Sequence, residues 1–160
     1  MNIRNASERD IPALARIWHD GWQDAHAKIL PAELAQHRTR DSFEERLHEA
    51  LCNVRVADAG ATLGFHIIQR DELYQLYVDA RARGTGTATA LIADAERALL
   101  EGGVLVAWLA CAVGNARAER FYEKQGWHRN GRVTYPTPIP GGTFPVDVWR
   151  YEKQLRPAAG

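Results

Sequence analysis

The residues most suggestive of chemistry form the run Arg81-Ala82-Arg83-Gly84-Thr85-Gly86-Thr87-Ala88. Two glycines one residue apart follow a stretch rich in Tyr, Leu and Val and precede an apolar helical repeat, which is the pattern of a tight strand-to-helix turn. The first turn of a helix leaves backbone N–H groups unpaired, and the helix dipole adds partial positive charge there. A phosphate or pyrophosphate fits such a turn, because glycine lets the backbone approach an anion with no Cβ in the way. Arg83 would add a charge-assisted contact. The same glycines would also serve a bare turn, and the motif alone leaves both readings open. Two familiar nucleotide loops fail on spacing. A P-loop needs Gly-Lys followed by Ser or Thr, which the chain lacks. A Rossmann fingerprint needs Gly or Ala where Thr89 stands, and an acidic residue ending the next strand, where Cys111-Ala112-Val113 stand instead. It also opens its domain as a rule, whereas about eighty residues precede this loop.

The elements that must position this loop can be read from periodicity. Asn2–Asn5 is a short strand. Ser7 stands three residues before Asp10, a capping-box spacing, and Ile11, Leu14, Ala15, Trp18 and Trp22 follow at the spacing of a helix with one buried stripe. Pro31 opens a second helical stretch, and residues Ser42–Leu51 form another. Val54–Asp58 and Thr62–Gln69 flank Ala59-Gly60-Ala61 as a hairpin, and Glu72–Val78 is a third strand. The helix after the glycine loop presents Ala88, Leu91, Ile92, Ala95 and Leu99, and ends at Gly102-Gly103. Val104–Ala110 reads as a central strand buried on both faces. Asn115 is a good N-cap for a helix carrying Ala118, Phe121, Tyr122 and Gln125, closed by Gly126. Strands near Trp127–Thr134 and Val146–Lys153 complete the pattern. Between them, residues 136–145 hold four of the seven prolines and read as a restricted loop. This order predicts an α+β fold: a single mixed, mostly antiparallel sheet of about seven strands with helices on both faces.

Length and composition narrow the class. At 160 residues, one domain spanning residues 1–160 is expected, large enough to bury a core without metal or disulfide staples. Twenty basic residues balance twenty acidic ones, which removes the electrostatic case for a nucleic-acid or membrane-surface protein. The longest apolar run, Val104–Val113, has ten residues, short of a membrane helix. The N-terminus carries four charges in its first ten residues and does not read as a signal peptide. Cys52 and Cys111 are therefore expected as reduced thiols in a cytoplasmic protein, and no Cys/His spacing reads as a zinc site.

Two segments together resemble the GCN5-related N-acetyltransferases. ELYQLYVDARARGTGTATALI is similar to that family's acetyl-CoA motif, an Arg or Gln followed by x-x-Gly-x-Gly/Ala after a central strand, here Arg81-x-x-Gly84-x-Gly86. NARAERFYEKQGW, residues 115–127, resembles the family's second cofactor motif, in the family's order and at about its separation. The resemblance implies the α+β fold just described and acetyl-CoA as acetyl donor. Backbone amides from Arg83 through Gly84, Thr85, Gly86, Thr87 and Ala88 would hold the pyrophosphate. The strand edge at Leu76, Tyr77 and Val78 would pair with the pantetheine amides, as a peptide adds to a sheet. Asn115 would hydrogen-bond the pantetheine arm while its side chain also caps the helix.

Acetyl transfer to an amine imposes three needs. The amine must lose a proton from a group titrating near about 10.4, the oxyanion needs donors, and the departing thiolate, whose acid titrates near about 8.5, benefits from a proton. The resemblance implies Tyr122 as the general acid, because it occupies the family's tyrosine position; a ring packed beside Phe121 is the alternative. It implies Glu72 as the general base, which needs a raised pKa or a water relay to serve well; a solvated strand-end charge is the alternative. His19, His26 and His128 are weaker candidates for the base. Cys111 reads as an inert buried thiol, with direct transfer in a ternary complex. The resemblance puts the acceptor between the first helices and the loop joining the last strands, that is, near Trp18, Trp22 and His26 on one side and Tyr135–Phe144 on the other. A small-molecule amine is the expected acceptor, since the proline-containing segment would narrow a peptide groove. A protein N-terminal or lysine acetyltransferase and a non-catalytic acetyl-CoA-binding module are the alternatives, and a homodimer is left open.

Overall fold

The computed structural model describes residues 1–156. Seven strands and five α-helices alternate in the expected order. Strand β1 (Asn2–Asn5) leads into α1 (Ile11–His26), α2 (Ala32–Ala35) and α3 (Arg40–Ala50). Strands β2 (Val54–Asp58), β3 (Thr62–Gln69) and β4 (Glu72–Val78) form a meander, followed by α4 (Thr87–Glu101), β5 (Val106–Ala112) and α5 (Ala116–Lys124). A long hairpin of β6 (His128–Ile139) and β7 (Gly142–Gln154) ends the chain's regular structure. The sheet order is β1-β2-β3-β4-β5-β7-β6. Every pairing is antiparallel except β4 with β5.

The apolar stripe of α1 is buried as its spacing requires. Ile11, Leu14, Trp18 and Trp22 pack with Leu34 of α2, Phe43 and Leu47 of α3, and Val56, Phe65 and Ile67 of the sheet. On the other face Leu99, Ile92 and Ala95 of α4 pack with Leu73, Leu109 and Trp127. Helices thus cover both faces. Ser7 and Asp10 meet as half of a capping box, the Ser7 N–H donating to the Asp10 carboxylate at 2.8 Å. Thr39 rather than a residue further on caps α3, accepting from the Ser42 N–H at 3.1 Å.

Four sequence expectations need correction. Residues 136–145 are not a loop but the far ends of β6 and β7, paired from Pro136 with Pro145 to Ile139 with Gly142 across a turn at Pro140-Gly141. Gly141 has φ 79°, the arrangement of a type II turn. The prolines are tolerated because β6 is the sheet's edge and β5 pairs with β7 only from Val148 onward. Their missing N–H groups therefore interrupt no interior ladder. The strand expected at Val104–Ala110 lies two residues further on. Val104 instead donates its N–H to Leu99 and closes α4. Strand β5 is also not buried throughout, for Val106 is 51% exposed. Pro31 caps α2 from outside, with ψ 147°, rather than occupying its first turn.

Candidate active site

Strands β4 and β5 are joined at one register position only, Glu72 with Trp108. Beyond it they part. A bulge in β4 begins the divergence: Ile67 faces Gln75 and Ile68 faces Leu73, leaving Tyr74 as the extra residue. Bulges bend a strand and re-aim its side chains. Past the bulge, Leu76, Tyr77 and Val78 pair with β3 on one side and have no strand on the other. That free edge fits an extended amide-bearing chain laid along it. Gly21 of α1 lets the helix lie on this edge, since a Cβ there would come within 2.5 Å of the Tyr77 ring.

The glycine loop stands at the open end of the wedge. Asp79 fixes its start by accepting from the Arg81 N–H and from the Arg81 and Arg16 guanidiniums. Arg81, the first residue of the motif, is thus engaged in shaping the turn. Gly84 and Gly86 have φ 75° and 85°, and a Cβ at either would meet nothing within 4 Å. The loop therefore needs glycine for its backbone and leaves clear space in front of it. Gly86 is the N-cap of α4. Among the described residues, the N–H groups of Gly84, Thr85, Gly86, Thr87 and Ala88 make no turn or cap hydrogen bond, whereas Arg83's donates weakly to Ala80 at 3.4 Å. The Thr85 hydroxyl donates to the Ala82 carbonyl and lies 2.8 Å from that of Thr87. The Arg83 guanidinium reaches Asp24 of α1 at 2.7 Å, a carboxylate shared with Arg117 at 3.0 Å. This trio keeps one net positive charge beside the loop. A glycine cradle, unpaired N–H groups and excess positive charge suit the pyrophosphate of a coenzyme A ester.

The wedge widens into a solvent-open cleft of about 160 Å³. Glu72, Leu76, Tyr77, Asn115, Tyr122, Tyr135, Trp22 and His26 all line it, so eight residues expected from sequence converge on one site. Glu72 is 6% exposed and accepts from the Tyr135 hydroxyl at 3.1 Å. Burial is the main cause that pushes its carboxyl up to about 7; the Tyr135 hydrogen bond and Arg150 oppose the rise and Asp71 adds to it. Tyr122 packs edge-on against Phe121 at 5.4 Å and against Tyr151. Burial holds its phenol far above the usual range, so it keeps its proton. The Asn115 side chain accepts from the Ala118 N–H at 3.4 Å as the N-cap of α5, leaving its amide N–H groups for another partner. Cys111 also faces the cleft, but burial raises its thiol to about 12, which leaves no thiolate to attack. His19 pairs with the neighbouring Asp20 and neither it nor the exposed His128 lines the cleft.

Four cleft residues escaped the sequence reading: Leu30, Leu34, Arg38 and Arg46. All lie in or between α1, α2 and α3, where polar residues at irregular spacing carry no pattern that distinguishes a cleft wall from a solvated helix. Tyr74 escaped too, since its direction is set by the bulge.

This site sits in a fold with relatives. The chain matches the Acetyltransferase (GNAT) family over residues 12–127 and belongs to it. It is an acetyl-CoA-dependent acyltransferase of that family. An uncharacterised N-acetyltransferase of Mycobacterium tuberculosis is 39% identical over 117 residues, covering 67% of this chain and 75% of the relative. Among solved structures, a GCN5-related N-acetyltransferase from Rhodopseudomonas palustris superposes with a TM-score of 0.77 at 22% identity, covering 96% of this chain and 95% of its own. The PaiA N-acetyltransferase of Thermoplasma acidophilum, solved with coenzyme A, gives 0.66 at 21% identity, covering 96% and 98%. Among the described residues no helix is long and apolar enough to cross a membrane.

Proposed function

We propose that this protein transfers the acetyl group of acetyl-CoA directly to the primary amine of a small molecule bound in the cleft, with Glu72 as general base and Tyr122 as general acid. The observation that carries this reading is the buried Glu72–Tyr135 pair at the point where β4 and β5 part. When bound, acetyl-CoA supplies the acetyl group as an activated thioester. The free edge of Leu76, Tyr77 and Val78 and the amides of Gly84, Thr85, Gly86, Thr87 and Ala88 hold its arm and its pyrophosphate, with Arg83 and Asn115 as side-chain partners. With its carboxyl near 7, Glu72 is about half ionised at neutral pH, and the ionised form takes a proton from an arriving ammonium. Tyr135 fixes the direction of that carboxylate. Glu72 passes that proton to the solvent of the open cleft and, ionised again, takes the second proton lost by the nitrogen as its bond to the acetyl carbon forms. Tyr122 gives its phenolic proton to the sulfur as the carbon–sulfur bond breaks and regains one from solvent. Trp22, His26 and Tyr135 form the acceptor wall.

A small acceptor is supported by the β6–β7 hairpin, which reaches over the cleft and is tied to the segment before α3. Arg38 donates to the Pro138 carbonyl at 2.7 Å and to the Thr137 hydroxyl at 3.2 Å, narrowing the room for an extended peptide. The test is thiol release from acetyl-CoA with a panel of small amines, set beside peptides bearing a free N-terminus or a lysine. Turnover with small amines and little with peptides is expected. Turnover confined to peptides would overturn the small-acceptor reading, and no turnover with any acceptor would overturn the catalytic one.

A further inference from the structure

The acceptor wall of the cleft carries positive charge that no carboxylate of the protein answers. Arg38 is 3% exposed, yet its only hydrogen-bond partners among the described residues are the neutral Thr137 hydroxyl and Pro138 carbonyl, both reached from one nitrogen. Its other nitrogens have no protein partner and keep access to the cleft. Arg46 stands on the same wall. Its guanidinium lies 4.5 Å over the Trp18 ring and donates to the Tyr74 hydroxyl at 2.7 Å, again without a carboxylate. The three buried aspartates are handled differently: Asp10 pairs with Arg4, Asp79 with Arg16 and Arg81, and Asp94 with Arg55 and Arg97. A guanidinium withdrawn from water is costly unless an anion meets it. A second, separate mark lies beside it. His26 Nδ1, on the same wall, is buried and makes no well-formed hydrogen bond. Burial, with Arg38 adding to it, lowers that imidazole to about 4, so it stands neutral, able to exchange a hydrogen bond with a ligand.

We infer that the acceptor is an amine carrying a carboxylate, with Arg38 and Arg46 receiving the carboxylate while the amine faces Glu72. This rests on the acetyl-transfer reading of the same cleft and names its substrate class. One strand of the hairpin touches both poles. Tyr135 touches Glu72 and Thr137 touches Arg38. They are alternate residues of β6 on its half-buried face, about 7 Å apart along the strand. The aromatic and leucine walls around Trp22, Leu30 and Leu34 then receive an apolar substituent. Arg38's planar fork suits a carboxylate in two-point contact, which an ammonium would not reproduce.

The experiment compares each of several apolar amino acids with the amine left when its carboxylate is removed: leucine with isoamylamine, phenylalanine with phenethylamine, methionine with 3-methylthiopropylamine. Thiol release gives kcat/KM, and calorimetry on the coenzyme A-loaded protein gives acceptor binding. The amino acids are expected to exceed their decarboxylated partners at least tenfold in kcat/KM. Arg38→Gln should bring that ratio within about threefold of one, chiefly through KM, and Arg38→Lys should restore part of it. The ratio is insensitive to how much of a variant folds. A purely structural Arg38, holding the hairpin, would lower both acceptors alike. Equal preference for the two members of each pair, or an Arg38→Gln enzyme that keeps the ratio, would overturn the inference while leaving acetyl transfer intact. Arg38-dependent binding of the amino acids with no turnover would support the inference and overturn the catalytic reading. The absence of both binding and turnover for every amino acid would overturn the inference.

Discussion

Glu72→Gln tests the proposed base most directly, because the substitution acts on activity and on stability with opposite signs. Gln keeps the shape and still accepts from Tyr135 but takes no proton. With its carboxyl near 7, wild-type Glu72 is about half ionised at neutral pH. The wild-type rate should therefore rise about tenfold per pH unit below that value and flatten above it. In the Gln variant the amine must lose its proton to water before it can attack. A free alkylammonium titrates near about 10.4, so at pH 7 only about one amine in 2,500 is neutral, a fraction that grows tenfold per unit. The variant should lose about 10²- to 10³-fold in turnover at pH 7. The gap should then narrow by about tenfold per unit between pH 8 and 10. A variant whose pH profile follows the wild type would return Glu72 to a buried strand-end carboxyl with no part in the reaction.

The stability arm follows from the same burial. The ordinary value of 4.5 rises to about 7 on folding. Between those values the native state holds the proton that the unfolded state has released, so stability falls as pH rises through that window. Two and a half units correspond to about 3 kcal/mol of destabilisation above pH 7, as an upper figure. Glu72→Gln, with no charge to bury, should recover that amount at pH 8 and nothing at pH 4. Urea melts of both proteins at the two pH values check it. A variant less stable than wild type at pH 8 would mean that the ionised carboxylate is well satisfied where it lies.

Tyr135→Phe removes the hydrogen bond that favours the ionised form of Glu72. A bond to a charged group contributes about 1.5–3 kcal/mol, so the activity limb should move up by about one pH unit; an unmoved limb would mean the pair does not control the base. Tyr122→Phe breaks no protein hydrogen bond, since the phenol makes none among the described residues, and so should melt within about 0.5 kcal/mol of wild type. Its kcat should fall about 10²-fold where chemistry limits the rate, and a wild-type kcat would make Tyr122 a packing residue. Gly86→Ala meets no steric contact but forces a side chain to φ 85°, at about 1–2 kcal/mol. Acetyl-CoA at 100 times its dissociation constant should stabilise the wild type by about 2.7 kcal/mol, and a tenfold weaker variant by only about 1.4 at the same concentration. Equal thermal shifts would reduce the loop to a turn. Asp94→Ala strips a carboxylate from Arg55, Arg97 and the buried His66, and should cost about 3 kcal/mol in a urea melt; a loss under 1 kcal/mol would mean the cluster is well hydrated.

The geometry of the glycine loop, strand edge and Asn115 cap was legible in the sequence because it is local. A glycine at positive φ, a free strand edge and an N-capping Asn each depend on a few neighbouring residues, and the strand and helix bounds around them came out within a residue or two. What failed was set by distant partners. The prolines of residues 136–145 suggested a loop, because a sequence does not say whether a strand will lie at an edge, where proline is harmless, or inside a sheet. The exposure of Val106 depends on where β5 ends relative to its neighbours, which its uniformly apolar composition conceals. Glu72 was legible as a candidate, but its burial was not, because Tyr135 meets it from 63 positions away.

The acceptor side was illegible for a further reason: its walls come from elements that meet only in three dimensions. Arg38 lies between two helices, in a polar stretch that reads as solvated, and becomes buried because the β6–β7 hairpin, some hundred positions later, closes on it. That hairpin does two things at once. Through Tyr135 it orients the carboxylate proposed to take the proton, and through Thr137 and Pro138 it holds the guanidinium that would receive the acceptor's charge. The proposed base and the proposed anion-binding group are therefore positioned by residues two apart on one strand. A slip of the β6–β7 register by one residue would turn Tyr135 and Thr137 to the opposite face and remove both groups together. Substitutions that strain the Pro140-Gly141 turn should accordingly raise KM for a carboxylate-bearing amine and shift the pH limb in the same variant, whereas substitutions in the glycine loop should do neither.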